Sequence, residues 1–216
     1  MRIFILITFF LLETQASLIL KINRQITSYI EIKNKNLIRQ KFDYSCGSAS
    51  LATILKYFYG INITEKDILK KILGIKGYNS QNKEVRLRKE DEGLSFFDLS
   101  NYVKTQGFKA LGLALNLQTL FNIKIPVILY LKINNNEHFT VYKNKDKHFI
   151  YLSDPSFGNI KIRISKFKTM FYQRTNMKNK GKILAILPLD KNIHKINKSF
   201  MNIPLKSKTI YNSINL

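Results

Sequence analysis

The chain opens on Met1-Arg2, then runs apolar from Ile3 to Leu12 with only Thr8 interrupting. Glu13-Thr14-Gln15-Ala16-Ser17 follows, placing a small residue, Ala16, where a signal peptidase would cut. A charged start, a short apolar run and a small residue form a signal-peptide layout over residues 1–16. The run is about half of the ~20 residues that span a bilayer, so a cleaved signal is expected rather than a lasting anchor. An uncleaved signal anchor and a buried N-terminal strand are the alternatives. Residues 17–36 alternate loosely through Ile22, Ile26, Ile30 and Ile32, which predicts an extended arm with a short strand.

From there the period becomes helical. Leu51, Ile54, Leu55 and Phe58 share one face of a helix expected over 47–59 and stopped by Gly60. Thr64-Glu65-Lys66-Asp67 reads as a capping box opening a second helix, with Ile68, Leu69, Ile72 and Leu73 facing inward. Residues 74–92 read as a long polar loop. Ser95-Phe96-Phe97-Asp98 is a further capping box, and Gly107 ends its helix. The second half alternates instead. Strands are expected over 108–115, 126–133, 138–143, 148–153, 160–164 and 182–187, with a short helix or turn at 116–121 and a helix capped by Ser165. The strands at 138–143 and 148–153 form a hairpin about the polar turn 144–147. Helices followed by an antiparallel sheet make an α+β domain over 37–190. Residues 191–216 carry five lysines, no acid and no periodicity, and read as a flexible basic tail.

Composition adjusts this picture in three ways. With 45% hydrophobic and 12% aromatic residues, the chain can bury a core, which excludes wholesale disorder. The length of 216 residues leaves no room for membrane spans plus a nucleotide-binding domain, and no phosphate-binding Gly-x-x-x-x-Gly-Lys run occurs. The net charge of +22 invites an anionic partner such as nucleic acid. However, Lys outnumbers Arg 29 to 7, and Lys, Ile and Asn make up 80 of the residues, as AT-rich codons produce. Phosphate readers favour the arginine fork, so nucleic acid is not the expected partner.

Candidate chemistry centres on the one cysteine, which has no disulfide partner within the chain. Cys46 lies at the amino end of the first strong helix, where free N–H groups and the helix dipole stabilise a thiolate. Gly47 is expected to let a substrate carbonyl approach the backbone. His138 begins a strand and Asp154 ends its hairpin partner before Pro155; pairing about residues 145 and 146 would bring them to the same end of the ladder. A cysteine hydrolase needs such a set: Cys46 as nucleophile, His138 as base, Asp154 to orient the imidazole. The Cys46 N–H and the Gln40 side-chain amide are the candidate oxyanion donors. Each has a plainer reading: a packed cysteine, a surface histidine, a turn aspartate, an ordinary glutamine. His148 and His194 are weaker bases, and one Cys with three scattered His gives no zinc spacing. No cofactor is expected.

At these residues the sequence resembles the bacteriocin-processing, double-glycine cysteine peptidase family, a papain-like group. The stretch Arg39-Gln40-Lys41-Phe42-Asp43-Tyr44-Ser45-Cys46-Gly47-Ser48-Ala49-Ser50-Leu51-Ala52 is similar to that family's Gln-x5-Cys-Gly-x-Ala-x-Leu-Ala signature. Glu92 to Leu99, Ile125-Pro126-Val127, His138 to Val141 and Asp154-Pro155-Ser156-Phe157-Gly158 extend the resemblance over roughly residues 37–188. The resemblance implies a papain-like peptidase fold. It also implies the same roles: Cys46 nucleophile, His138 base, Asp154 its partner and Gln40 an oxyanion donor. Transporter-fused members usually carry Asp before the nucleophile, where this chain has Ser45. With the signal layout, this resembles the stand-alone exported branch.

The expected function is therefore an exported, periplasmic cysteine endopeptidase that cuts after small residues such as Gly-Gly in a peptide or secreted protein. An envelope or pilus-assembly partner would fit. An amidase or transpeptidase with the same residues, and a non-catalytic envelope- or pilus-binding module, are the competing readings.

Overall fold

The computed structural model describes residues 28–75, 93–175, 177–190, 196–203 and 212–213. The signal segment, most of the 74–92 loop and His194 lie outside these residues. Among them, no helix is long and apolar enough to cross a membrane.

Residues expected to be extended instead form helix α1, Tyr29–Asn34, which buries none of its side chains. The Ile alternation misleads here because Ser28 and Glu31 make a reciprocal capping box that satisfies the first turn locally. The helix is held by Asn159, whose Nδ2 donates to the carbonyls of Ile32 at 3.3 Å and Lys35 at 2.9 Å. Helix α2, Cys46–Tyr57, is the central helix; Ala49, Leu51, Ala52, Ile54 and Leu55 are fully buried. Helix α3, Glu65–Ile75, begins at the expected Thr64–Asp67 box, and α4, Phe96–Lys104, at the Ser95–Asp98 box.

The helices pack on a sheet of β1 Phe108–Leu115, β2 Val127–Ile133, β3 Asn136–Lys145, β4 Phe149–Asp154, β5 Gly158–Arg163 and β6 Gly181–Pro188. All of these pair antiparallel, in the order β1-β6-β2-β3-β4-β5. A two-residue strand β7, Asn212–Ser213, adds in parallel beyond β5. The helix α5, Leu117–Asn122, falls where a short helix or turn was expected, capped by Asn116. The expected helices-on-antiparallel-sheet architecture is the one found.

Two apolar cores result. One lies between α2, α3, α4 and the sheet, around Leu51, Leu55, Phe58, Leu99, Phe108 and Val141. The other is covered by α6, Ile164–Phe171, through Phe167, Met170 and Phe171. Ser165 does not cap α6 but lies inside it. The Ile164 N–H is satisfied by the His148 carbonyl at 3.0 Å, so the helix starts without a side-chain cap.

The stretch from 191 is not a uniformly flexible tail. Lys198–Met201 forms a 3-10 turn, and its Phe200 is 1% exposed. Asn197 N donates to the Phe58 carbonyl at 2.8 Å, and the Lys143 ammonium sits 4.7 Å from the Phe200 ring centre. A single aromatic anchor docks this segment, which is why hydrophobic periodicity gave no sign of it.

The β3–β4 hairpin holds one irregularity. Val141 faces Ser153 and Tyr142 faces Leu152, but Asn144 faces Tyr151 and Lys145 faces Ile150. Lys143 is the extra residue of a bulge, and it is 5% exposed.

Candidate active site

Cys46 is the first residue of α2 and partly exposed, so its sulfur sits beside the free N–H groups of the helix start. The small residues after it bring the helix close to β3: the Ser50 hydroxyl donates to the Phe139 carbonyl at 3.3 Å. A Cβ on Gly47 would lie 3.1 Å from the Phe139 ring and 3.4 Å from Leu94. The glycine thus serves helix–sheet contact.

His138, near the start of β3, reaches Asp154 at the end of β4: Nε2 lies 2.8 Å from Oδ2. The hairpin register does not set them directly opposite. Continued by one pair from Val141–Ser153, it puts Thr140 across from Asp154, so His138 is the diagonal neighbour on the same face. The bulge makes this possible. In the register on the turn side of Lys143, His138 and Asp154 would differ by an odd step and point to opposite faces.

The Asp154 side chain is fixed from its other oxygen. Oδ1 accepts the N–H groups of Ser156 and Phe157, both at 2.9 Å, leaving Oδ2 for the imidazole. Asp154 is 1% exposed and His138 12%. Burial pulls the His138 pKa down. The hydrogen bonds to Asp154 and Cys46 and the charges of both outweigh it, and the imidazole is pushed up to about 10. With Nε2 on Asp154, the ring presents Nδ1 to the sulfur. The Phe157 ring edge, 6.2 Å away centre to centre, shields the pair.

Gln40 belongs to the same constellation through the turn after Asp154. Its N–H donates to the Pro155 carbonyl at 3.1 Å, and its Oε1 accepts the Ser156 hydroxyl at 2.6 Å. Arg39 adds a guanidinium bond to the Ser156 carbonyl. The Gln40 Nε2 donates to the Phe42 carbonyl at 3.0 Å and reaches the Asp43 carbonyl only at 3.5 Å. Gly158 closes the turn with φ +89, and a Cβ there would come within 2.9 Å of the Lys33 carbonyl. It lets α1 lie against the loop that carries these contacts.

The structure therefore brings Cys46, His138 and Asp154 together and ties Gln40 to them through Ser156. Sequence reasoning missed Ser156, the link between Asp154 and Gln40, and the buried Ser45–Glu65 hydrogen bond behind the nucleophile. Their only signal was place: Ser156 lies in the turn after Asp154, and Glu65 was absorbed into a capping box. His148 is exposed on the hairpin turn, away from the other four. Among the described residues, no three metal-ligating side chains gather. The arrangement can pair a thiolate with an imidazolium, hold that ring by a carboxylate, and present an amide and a helix-start N–H to a tetrahedral oxygen.

Parts of the chain are similar to known proteins. Residues 75–180, which hold His138 and Asp154 and begin after Cys46, match the model of the peptidase C39 family. The chain is 33% identical over 144 residues to "Probable functional amyloid protease FapD" of Pseudomonas fluorescens, covering 67% of this chain and 60% of that protein. The protein of the same name from Pseudomonas aeruginosa is 31% identical over 144 residues. The chain thus spans about 60% of the length of these relatives. In fold it resembles the peptidase domain of Streptococcus ComA, a bifunctional ABC transporter, with a TM-score of 0.52 at 19% identity, covering 70% of this chain and 97% of that one. A C39-like peptidase from Bacillus anthracis gives 0.51 at 20% identity, covering 70% and 94%.

Proposed function

Because the chain belongs to the peptidase C39 family, we propose that it is an exported cysteine endopeptidase that cuts after small residues, Gly-Gly above all. The observation that carries this reading is the line from Cys46 through the His138 ring to the Asp154 carboxylate.

The Cys46 thiolate attacks the scissile carbonyl carbon and a C–S bond forms. The carbonyl oxygen becomes an oxyanion, held by the Cys46 N–H and the Gln40 amide. As the tetrahedral centre collapses, the C–N bond breaks and the His138 imidazolium gives its proton to the departing amine. His138, now neutral, takes a proton from water. The hydroxide attacks the thioester, and collapse releases the carboxylic acid and restores the thiolate–imidazolium pair. Asp154 keeps the ring oriented and favours its charged form throughout.

The names of the Pseudomonas relatives join a protease to functional amyloid. We carry that over as the substrate class: an exported, fibre-forming polypeptide met beyond the cytoplasmic membrane. Residues 1–16 supply the route as a signal peptide.

The test incubates the purified protein with a secreted polypeptide containing a Gly-Gly site and reads products by mass spectrometry. Two fragments ending and beginning at that site, lost in Cys46→Ala, support the reading. Joined fragments would mark acyl transfer instead of hydrolysis, and cleavage that survives Cys46→Ala would refute the mechanism.

A further inference from the structure

Glu65 is the first residue of α3, yet it is 3% exposed. Its Oε1 accepts the Lys41 N–H at 2.9 Å and the Ser45 hydroxyl. Ser45 Oγ in turn accepts the Phe42 N–H at 3.2 Å. Among the described residues, no lysine or arginine pairs with this carboxylate; its partners are groups of the loop that leads into Cys46. A buried carboxylate is costly unless well hydrogen-bonded, and the helix start beneath it favours negative charge.

This loop has the two oxyanion donors at its ends. Gln40 is tied down by Ser156 and Pro155, and Cys46 by α2. Between them, Glu65 is the side chain from another element that grips both Lys41 and Ser45. We propose that Glu65 is a positioning residue: it sets the curvature of residues 41–45 so that the Gln40 amide and the Cys46 N–H converge on one oxygen. This rests on the acyl-transfer reading above. It adds that the site depends on a carboxylate that touches neither the sulfur nor the imidazole.

Two thiol probes separate positioning from activation. Iodoacetamide loses iodide to the thiolate through a step that builds no oxyanion. p-Nitrophenyl acetate is attacked at its carbonyl, passes through a tetrahedral oxyanion and expels p-nitrophenolate, leaving acetyl-Cys46. In Glu65→Ala the acylation rate should fall roughly 10- to 100-fold, below the ~100- to 1000-fold cost of losing an oxyanion donor outright because the donors are misplaced rather than removed, while the alkylation rate stays within about twofold. Glu65→Gln keeps an acceptor oxygen for Lys41 N–H and Ser45 and should recover most of the acylation. Ser45→Ala, a small change that serves should Glu65→Ala not fold, should lower acylation selectively and by the same factor on the Glu65→Gln background, where the acceptor oxygen is kept. Acylation and alkylation falling together, or acylation unchanged, would overturn the proposal. If wild-type Cys46 reacts with both reagents no faster than free cysteine, the acyl-transfer reading itself fails, and the positioning role with it.

Discussion

The hydroxyl of Ser156 donates to Oε1 of Gln40 at 2.6 Å, while the Ser156 N–H donates to Oδ1 of Asp154 at 2.9 Å. One residue thereby sets both the amide that would face the oxyanion and the carboxylate that orients His138. Ser156→Ala removes the first bond and keeps the second. Its peptide hydrolysis should drop about 10-fold in kcat, with KM little changed, because the lost interaction matters in the transition state. A KM-only effect would assign Ser156 to substrate binding.

Asp154→Asn should cost far more, on the order of 100-fold or greater, since the ring loses its charged partner and its orientation. The His138 titration, followed by NMR of the ring, should move down from about 10, because hydrogen bonding and charge from Asp154 are main causes of the rise. An unmoved midpoint would place the cause in Cys46 alone.

Stability should carry the same signature. The His138 pKa is raised from 6.5 to about 10 in the folded protein, so its contribution is complete below about 6.5 and is lost as pH climbs through about 10. The melting temperature of the wild type should fall across that window more steeply than that of His138→Ala. Parallel curves would count against a charged imidazole in the resting site.

Phe200→Ala tests the docked C-terminal turn. Truncating a fully buried phenylalanine costs about 3 kcal/mol or more, and here it also removes the ring beneath the Lys143 ammonium. Burial, and after it the charge of Lys35, hold the Lys143 pKa down at about 8. Denaturant melts should show the loss; no change would mean that the turn is a passive passenger.

Much of this was legible in the chain because the signals were local. The Thr64–Asp67 and Ser95–Asp98 boxes fixed two helix starts, and the step from helical to alternating period fixed the order of helices before sheet. The four site residues carried their own chemistry. What stayed hidden depends on contacts distant in sequence. No local feature says that β6 inserts between β1 and β2 or that Phe200 docks under Lys143. Glu65 kept its role as a helix opener and gained a second one that only the fold could assign. Tyr142-Lys143-Asn144 gives no sign of a bulge, since the extra residue is an ordinary lysine.

That lysine has a consequence for how the hairpin can vary. Two strands joined by a turn have only two phases, and the extra residue on β3 switches the hairpin from one at the turn to the other at His138 and Asp154. Removing Lys143 would set Tyr142–Leu152 directly beside Asn144–Tyr151 in an unbroken ladder and leave the acid and the base on one face, whereas straightening the bulge with Lys143 kept would turn their backs on each other. Loss of Lys143 alone should therefore be tolerated by the His138–Asp154 pair, because the strand loses its bulge and keeps its phase. A related chain that lacks the extra residue can hold the same pair on a regular ladder.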